Sequence, residues 1–376
     1  MQLNIMPDMK EIKSFDIIIP TYKPGEKFLR LFDMLQRQHL PYNKLILINT
    51  EHELMSEEIR AKVLTDERTV LKDISADEFD HAATRAMAVR LSSSDAFICM
   101  TDDAVPADEF LTEKLIAGLN QVASGNLRDD NSCWAANKRA AETCVNLNEN
   151  ADGARQNQAD IAANKGVGDP MRTEENVQVA MCYARQLAAP DADESEKYVR
   201  VFNYPEKSFV KTAADLTRLG IKTYFASDVC CAYNREIFES LGGFIDNAIF
   251  NEDMIYAAAA IKAGYGIRYE AEALVVHSHN YTAMQQLHRN FDLGLSQRQH
   301  PEVFEGLSSE GEGFKLVTAT IRHLLSSGHA PDIPVFIWRT GFRYIGYRAG
   351  KRYDRLPKGL VRSLAMNKRY VDKHIA

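Results

Sequence analysis

The stretch Asp95-Ala-Phe-Ile-Cys-Met-Thr-Asp-Asp-Ala-Val-Pro106 decides how this sequence is read. Ala96 to Met100 predicts a short buried strand, and Asp102 and Asp103 follow it almost at once. In an open α/β sheet, ligands bind just beyond the carboxyl ends of the strands. Hard carboxylate oxygens at that place suit a divalent cation holding a diphosphate, which points to sugar-nucleotide chemistry. Taken alone, two aspartates before a turn also describe a helix N-cap or a solvated loop, so the surrounding chain has to arbitrate.

The preceding residues alternate short apolar runs with amphipathic helical patterns. Phe15 to Pro20 predicts a strand, and the helix after it carries Phe28, Leu31, Phe32 and Leu35 on one face. Lys44 to Asn49 and Thr69 to Ile74 predict two more strands, with helices over Ser56–Leu64 and Ala82–Leu91. Continuous Ile/Leu runs, rather than alternation, mean strands covered on both faces, so the expectation is a mostly parallel α/β sheet of nucleotide-binding type. The chain has no Gly-x-Gly-x-x-Gly after the first strand and no Walker loop, which disfavours dinucleotide binding and P-loop phosphoryl transfer.

Several motifs then converge in order: Ile17-Ile-Ile-Pro-Thr-Tyr-Lys-Pro24, Asn49-Thr-Glu51, Phe79-Asp-His-Ala-Ala-Thr-Arg85 and Met100-Thr-Asp-Asp-Ala-Val-Pro106. Together they resemble the nucleotide-binding half of inverting family 2 glycosyltransferases, which have the GT-A fold. Arg185-Gln-Leu, Phe202-Asn-Tyr-Pro205, Ser227-Asp228, Leu241-Gly-Gly-Phe244, Asn251-Glu-Asp-Met254 and His277-Ser-His-Asn-Tyr-Thr282 are similar to the branch described as rhamnosyltransferases of bacterial surface polysaccharides. The resemblance covers about residues 14–300. It departs at His81-Ala-Ala-Thr-Arg-Ala86, where the branch commonly has His-Gly-x-Thr-Arg-Asn and the glycine would let backbone approach the donor. A polar stretch at about 125–175, rich in Asn, Asp, Ala and Gln, reads as a helical insertion or a flap over the acceptor cleft. Residues 301–376 form a separate helical, basic C-terminal region.

The resemblance implies roles for particular residues. Asp253 becomes the base that deprotonates the acceptor hydroxyl, with Glu252 as an acidic neighbour that orients the site or raises the Asp253 pKa. The plainer reading is two acids favouring a helix dipole. Asp103 becomes the first metal ligand, and Asp102 holds metal or ribose. His277 and His279 flank Ser278 after the apolar run Ala273–Val276, so both imidazoles face one way if that run is a strand. His277 is the better match for completing a metal shell with Mg²⁺ or Mn²⁺, and a core or acceptor hydrogen bond is the alternative. Pro20, Thr21 and Tyr22 lead toward the base, Glu51 toward ribose or the pyrimidine, and Arg85 toward phosphate, where a guanidinium fork suits two oxygens. Arg289 falls in a segment, with Gln285 and Gln286, that resembles the Gln-x-x-Arg-Trp element of processive synthases. Gly243, after Gly242, would let a loop run under the donor sugar, although a glycine pair also ends helices.

Composition sets the context. A chain of 376 residues can bury a large core. It has no apolar run near the roughly 20 residues needed to span a bilayer and no signal pattern, so a cytoplasmic location is expected. Its six cysteines lack Cys-x-x-Cys spacing and read as reduced thiols. From Trp338 onward eleven Lys or Arg stand against Asp354 and Asp372, a balance of +9, which leaves −16 for the rest of a chain whose total is −7. Phe336, Trp338, Phe342, Tyr344, Ile345 and Tyr347 interleave with those cations, the composition of a helix lying peripherally on an anionic membrane surface. The alternative is a subdomain packed on the enzyme or on a second copy in a homo-oligomer. The acidic remainder argues against nucleic acid.

The reading that follows is an inverting transferase moving L-rhamnose from dTDP-β-L-rhamnose to a glycan acceptor, the acceptor carried on a lipid. UDP-galactofuranose or a UDP-hexose is the alternative donor, and a non-catalytic nucleotide-sugar-binding scaffold the alternative class.

Overall fold

The structure, a computed structural model, describes residues 11–123, 177–307 and 310–375. The stretch expected as an insertion at 125–175 lies outside the described residues. Ten strands form the sheet: β1 (Phe15–Thr21), β2 (Leu45–Thr50), β3 (Thr69–Ile74), β4 (Ala96–Met100), β5 (Val105–Pro106), β6 (Val122–Ala123), β7 (Val177–Leu187), β8 (Phe209–Lys211), β9 (Cys230–Asn234) and β10 (Gly266–Val276). Their order is β3-β2-β1-β4-β9-β7-β10-β5, with β6 on β7 and β8 on β10. Six of the strands, β1 to β4, β7 and β10, run in one direction. The sheet is therefore mostly parallel, as the Ile/Leu runs predict, with β9 reversed in its middle.

The strands are apolar on both sides because both sides are covered. Ile18, Ile46, Ile48, Phe97 and Cys99 enter one core, and their neighbours Ile17, Ile19, Leu45, Leu47, Ile98 and Met100 enter the other. Each such burial stabilises by about 1.5–3 kcal/mol before conformational entropy is subtracted. Helices α1 (Glu26–Leu35), α2 (Glu57–Val63), α3 (His81–Leu91) and α4 (Leu111–Leu119) follow β1, β2, β3 and β5 in the chain. Phe28, Leu31, Phe32 and Leu35 are the buried residues of α1, the face that the sequence predicts. Asp16, fully buried on β1, accepts from Lys44 N, Ser93 N and the hydroxyls of Ser92 and Ser94, so its desolvation is offset by four donors. Cys99, Cys182, Cys230 and Cys231 are buried free thiols.

Later helices, numbered without single-turn segments, are α5 (Glu194–Asn203), α6 (Arg235–Ser240), α7 (Glu252–Lys262), α8 (Ala283–Gln299), α9 (Glu310–Ser326), α10 (Ile333–Gly350), α11 (Lys358–Leu364) and α12 (Lys368–His374). Helix α10 lies against α8 at backbone distance. A Cβ added to Gly346 would stand 2.2 Å from Leu287 O, one on Gly350 2.1 Å from Phe291 O, and one on Gly294 2.3 Å from Tyr347 O. No side chain fits there, so the three glycines set how deeply α10 is seated. Phe291 and Leu295 of α8 also share a core with Val361, Tyr370 and Val371 of α11 and α12.

Helix α10 has two unlike faces. Phe336, Gly346 and Gly350 are buried against the body, with Arg339 and Arg343 between them on the same side and half-buried. Ile337, Trp338, Tyr344 and Ile345 point outward, Trp338 being 62% exposed. The segment expected as a basic amphipathic helix thus turns an apolar stripe outward and keeps two of its cations inside.

Candidate active site

Strands β1, β2 and β4 pair in parallel register, which brings their carboxyl ends to one edge of the sheet. After β4 the chain turns, with Ala104 N donating to Thr101 O, and carries Asp102 and Asp103 on that turn. Tyr22 N donates to Asp102 Oδ2 at 3.1 Å and so joins the segment leaving β1 to this turn. Pro20 and Thr21 end β1, and Thr21 Oγ1 bonds Asn49 Oδ1 at 3.2 Å. Glu51 leaves β2 with a left-handed φ of 66°, and its carboxylate accepts from Ala76 N.

The opposite wall comes from β10. Its pairing with β7 shifts register between Glu270 and Leu274, and a bulge of this kind re-aims the residues beyond it. His277 N then donates to Leu187 O at 2.9 Å, which fixes the strand's exit. His277 Nε2 stands 3.4 Å from Asp103 Oδ1, and His279 Nε2 stands 3.4 Å from Asp103 Oδ2. One ligand atom from each of the three residues lies within 4.8 Å of the other two.

The protonation of this cluster follows from its neighbours. Arg200, which can only donate, bonds Gln186 Oε1, and Gln186 Nε2 donates to Ser227 Oγ at 2.9 Å, so the amide orientation is fixed. His277 Nδ1 lies 3.2 Å from the same Gln186 Oε1 and must therefore carry the proton. The lone pair of Nε2 then faces Asp103. Burial depresses His277, and burial with His277 alongside depresses His279 to about 4. Burial pushes the Asp103 carboxyl up, but His277 and His279 outweigh it and hold this group well below the usual range. Two neutral imidazoles and an ionised carboxylate are the protonation a metal site needs. The O,N,N donor set fits a borderline cation such as Mn²⁺ better than Mg²⁺. Asp102 behaves differently: burial pushes it up to about 6, against the Tyr22 N–H bond that favours its charge.

The acidic side of the site opens helix α7. Asn251 precedes it with a left-handed φ of 66°. Glu252 is buried and ion-paired to Arg85 Nη1 at 2.8 Å, and Arg85 Nε lies 3.1 Å from Asp228 Oδ2. Arg85 is only 5% exposed and is closed between these two carboxylates, so the structure places it as their counter-ion, turned inward. Asp253 is half-buried, accepting from Asp228 N at 3.2 Å and Met254 N at 2.7 Å. Burial, Asp228 and Glu252 push its carboxyl well above the usual range.

Gln186, Ser227 and Asp228 link the two halves. Gln186 touches His277 and Ser227, and the residue after Ser227 donates its N–H to Asp253. Arg289 lies beside the cluster, its guanidinium 4.8 Å from the Phe250 ring centre and 6.0 Å from that of Tyr281. Gly243 has a different place: with φ 75° it follows α6 and donates to Phe238 O at 2.9 Å, which accounts for the glycine pair as a helix stop. The altered His81–Ala86 segment is accounted for as well. Ala82 is fully buried, and Asp80 Oδ1 accepts from Ala82 N and Ala83 N at 3.0 and 2.9 Å, capping α3 with a carboxylate.

Sequence reasoning assigned no role to Gln186, Arg200 or Asp228. Gln186 and Asp228 sit in quoted motifs, Arg185-Gln-Leu and Ser227-Asp228, which was the available signal. Arg200 has no local signal, because its role depends on α5 packing beside β7.

No protein-family model matches the chain. In fold it is similar to a mannosyltransferase, PcManGT from Pyrobaculum calidifontis, solved with GDP-Man and Mn²⁺, at 13% identity and a TM-score of 0.46, covering 91% of this chain and 88% of that one. It is likewise similar to S. aureus TarS 1-349 in complex with UDP-GlcNAc, at 12% identity and a TM-score of 0.40, covering 91% and 92%. In sequence it is 31% identical over 358 residues to the O-antigen chain rhamnosyltransferase RfbN of Salmonella typhimurium, covering 94% of this chain and 95% of that protein. It is 32% identical over 361 residues to the O-antigen chain rhamnosyltransferase WbaN of Salmonella anatum, covering 95% of each. A chain that is 31% and 32% identical to two such proteins over nearly its whole length belongs to the O-antigen chain rhamnosyltransferase family.

Proposed function

We propose that this protein transfers L-rhamnose, with inversion, from dTDP-β-L-rhamnose to a hydroxyl of a growing surface polysaccharide. The observation that carries this reading is the joining of the Asp103, His277 and His279 cluster to Asp253 through Gln186 and Ser227–Asp228. Asp253 takes the proton of the acceptor hydroxyl as that oxygen attacks the anomeric carbon from the face opposite the nucleotide. A β-linked donor attacked this way gives an α-L-rhamnoside. A raised pKa makes Asp253 a better proton acceptor than an ordinary aspartate. Asp103, His277 and His279 would hold a divalent cation, which when bound neutralises charge on the departing dTDP. Glu252 and Asp228, fixed by Arg85, hold Asp253 in place.

The test is to incubate the purified full chain with a panel of sugar nucleotides, with Mn²⁺, Mg²⁺ or EDTA. The reading requires cation-dependent turnover of dTDP-rhamnose above the UDP-sugars, and an α-linked product by NMR. Turnover unaffected by EDTA, a retained anomeric configuration, or preference for a UDP-hexose would each overturn the corresponding part.

A second reading concerns where the enzyme works. None of the helices among the described residues is long and apolar enough to cross a membrane. The outward stripe of α10, Ile337, Trp338, Tyr344 and Ile345, is followed in the chain by Arg348 in the last turn of the helix and by Arg352 just past its end. Apolar side chains flanked by cations match an anionic bilayer surface, and the +9 balance of this region supplies the charge complementarity. The full chain should co-sediment with vesicles containing anionic lipid, and Trp338→Ser with Ile345→Ser should abolish this. A wild type that ignores the vesicles and elutes as a dimer that this pair of substitutions breaks would assign the stripe to a second copy.

A further inference from the structure

Helix α10 meets the site at a cavity that the roles above do not use. Its wall includes Glu196, His279, Tyr281, Gln286, Arg339 and Arg343. His279 belongs both to this wall and to the metal-ligating cluster, and its ring stacks on Tyr281 at 4.7 Å between centres. The cavity therefore opens beside the place where a cation would sit.

The charges around it do not cancel. Arg339 is paired with Asp193, and Arg200 takes Glu196 through Nε at 2.9 Å and Nη2 at 2.8 Å. Arg343 has only the Gln286 amide oxygen, 3.4 Å from its Nε, and among the described residues neither Arg343 nor Arg289 has a carboxylate within ion-pair distance. Burial, with Arg289 and Arg200 nearby, depresses the Arg343 guanidinium against the pull of Glu196. A partly desolvated guanidinium without a counter-ion is unfavourable unless an anion completes it. Arg343 is carried on the stretch of α10 that is seated on α8 through Gly346 and Gly350.

We infer that Arg343, with Arg289 beside it, forms a subsite for the diphosphate of a substrate, so that the C-terminal helix completes the active site. This rests on the transferase reading above. The shared chemistry is a diphosphate, carried either by the sugar nucleotide or by a lipid-linked acceptor. A forked guanidinium can meet two phosphate oxygens while a cation at Asp103 meets others.

Binding of three probes to the full chain with Mg²⁺ tests it by calorimetry: inorganic pyrophosphate, dTDP and farnesyl diphosphate. Arg343→Gln should weaken pyrophosphate by roughly tenfold or more, the scale of a lost charge-assisted contact. Arg343→Lys should restore part of that loss, and Arg322→Gln, on an exposed stretch of α9, should change nothing. A parallel loss for dTDP assigns the diphosphate to the donor, and a loss for farnesyl diphosphate alone assigns it to the acceptor. Pyrophosphate carries neither base nor sugar, so a wrong donor assignment leaves this test intact. If Arg343→Gln melts early, Arg289→Gln and Arg343→Lys carry the comparison. Unchanged affinity for all three probes in folded variants, or no binding by the wild type, overturns the inference.

Discussion

Two pairs of adjacent acids bound the site, Asp102-Asp103 and Glu252-Asp253, and they divide their charge in the same way. In the first pair Asp103 faces two imidazoles and is held well below the usual range, while Asp102 is pushed up to about 6 by burial. In the second, Glu252 has the Arg85 guanidinium at 2.8 Å, while Asp253 has only backbone N–H donors and is pushed well upward. Neighbouring carboxylates that look interchangeable in sequence are separated by what faces them, two imidazoles at Asp103 and a guanidinium at Glu252. Within each pair one carboxyl, Asp102 or Asp253, is pushed upward by burial and like charge. Asp253 has two further carboxylates beside it, Asp228 and Glu252, and Asp102 has one, Asp103.

Breaking the first pair should have the largest effect. Asp103→Ala removes the ligand on which both imidazoles converge, so Mn²⁺ affinity and turnover should each fall by about 10²-fold or more, read by calorimetry and by rhamnosyl transfer. His277→Ala should weaken Mn²⁺ more than Mg²⁺ because it removes a nitrogen ligand.

Breaking the second pair should act on stability first. Arg85→Met leaves Glu252 and Asp228 buried without a cation, which should cost about 3–5 kcal/mol in urea unfolding, the usual result of orphaning a buried charge. A loss of under 1 kcal/mol would mean that the carboxylates are already neutral. The smallest effect sharpens the comparison. Asp253 acts as its carboxylate, and its raised pKa places the acid limb of the pH–rate profile above ordinary aspartate titration. Glu252→Gln removes a negative neighbour, so protonated Asp253 is less favoured and the limb should move to lower pH. A limb that moves upward, or stays, removes Glu252 from the tuning of Asp253.

The sheet was legible in sequence because a buried parallel strand has a simple signature. Ile17 to Ile19 and Leu45 to Ile48 are apolar at every position, and the elements observed up to Met100 match those read from the residues to within a residue or two. The acids were legible because they end such strands or begin a helix. Arg85 was less so: its residue type suits phosphate, and only the folded chain brings it between Glu252 and Asp228. The C-terminal region was legible in composition and not in orientation. Whether Arg343 points in and Trp338 out depends on contacts such as Gly346 on Leu287, set by residues far apart in the chain.

If Asp253 is the base, the cation and the nucleotide are held by other residues. The most direct measurement compares Asp253→Asn with wild type for rhamnosyl transfer and for binding of dTDP with Mn²⁺. Transfer should fall on the order of 10²-fold or more while binding stays within a few-fold, because the substitution removes the proton acceptor and leaves Asp103, His277 and His279 intact. Near-normal transfer, or loss of binding equal to the loss of transfer, would contradict it.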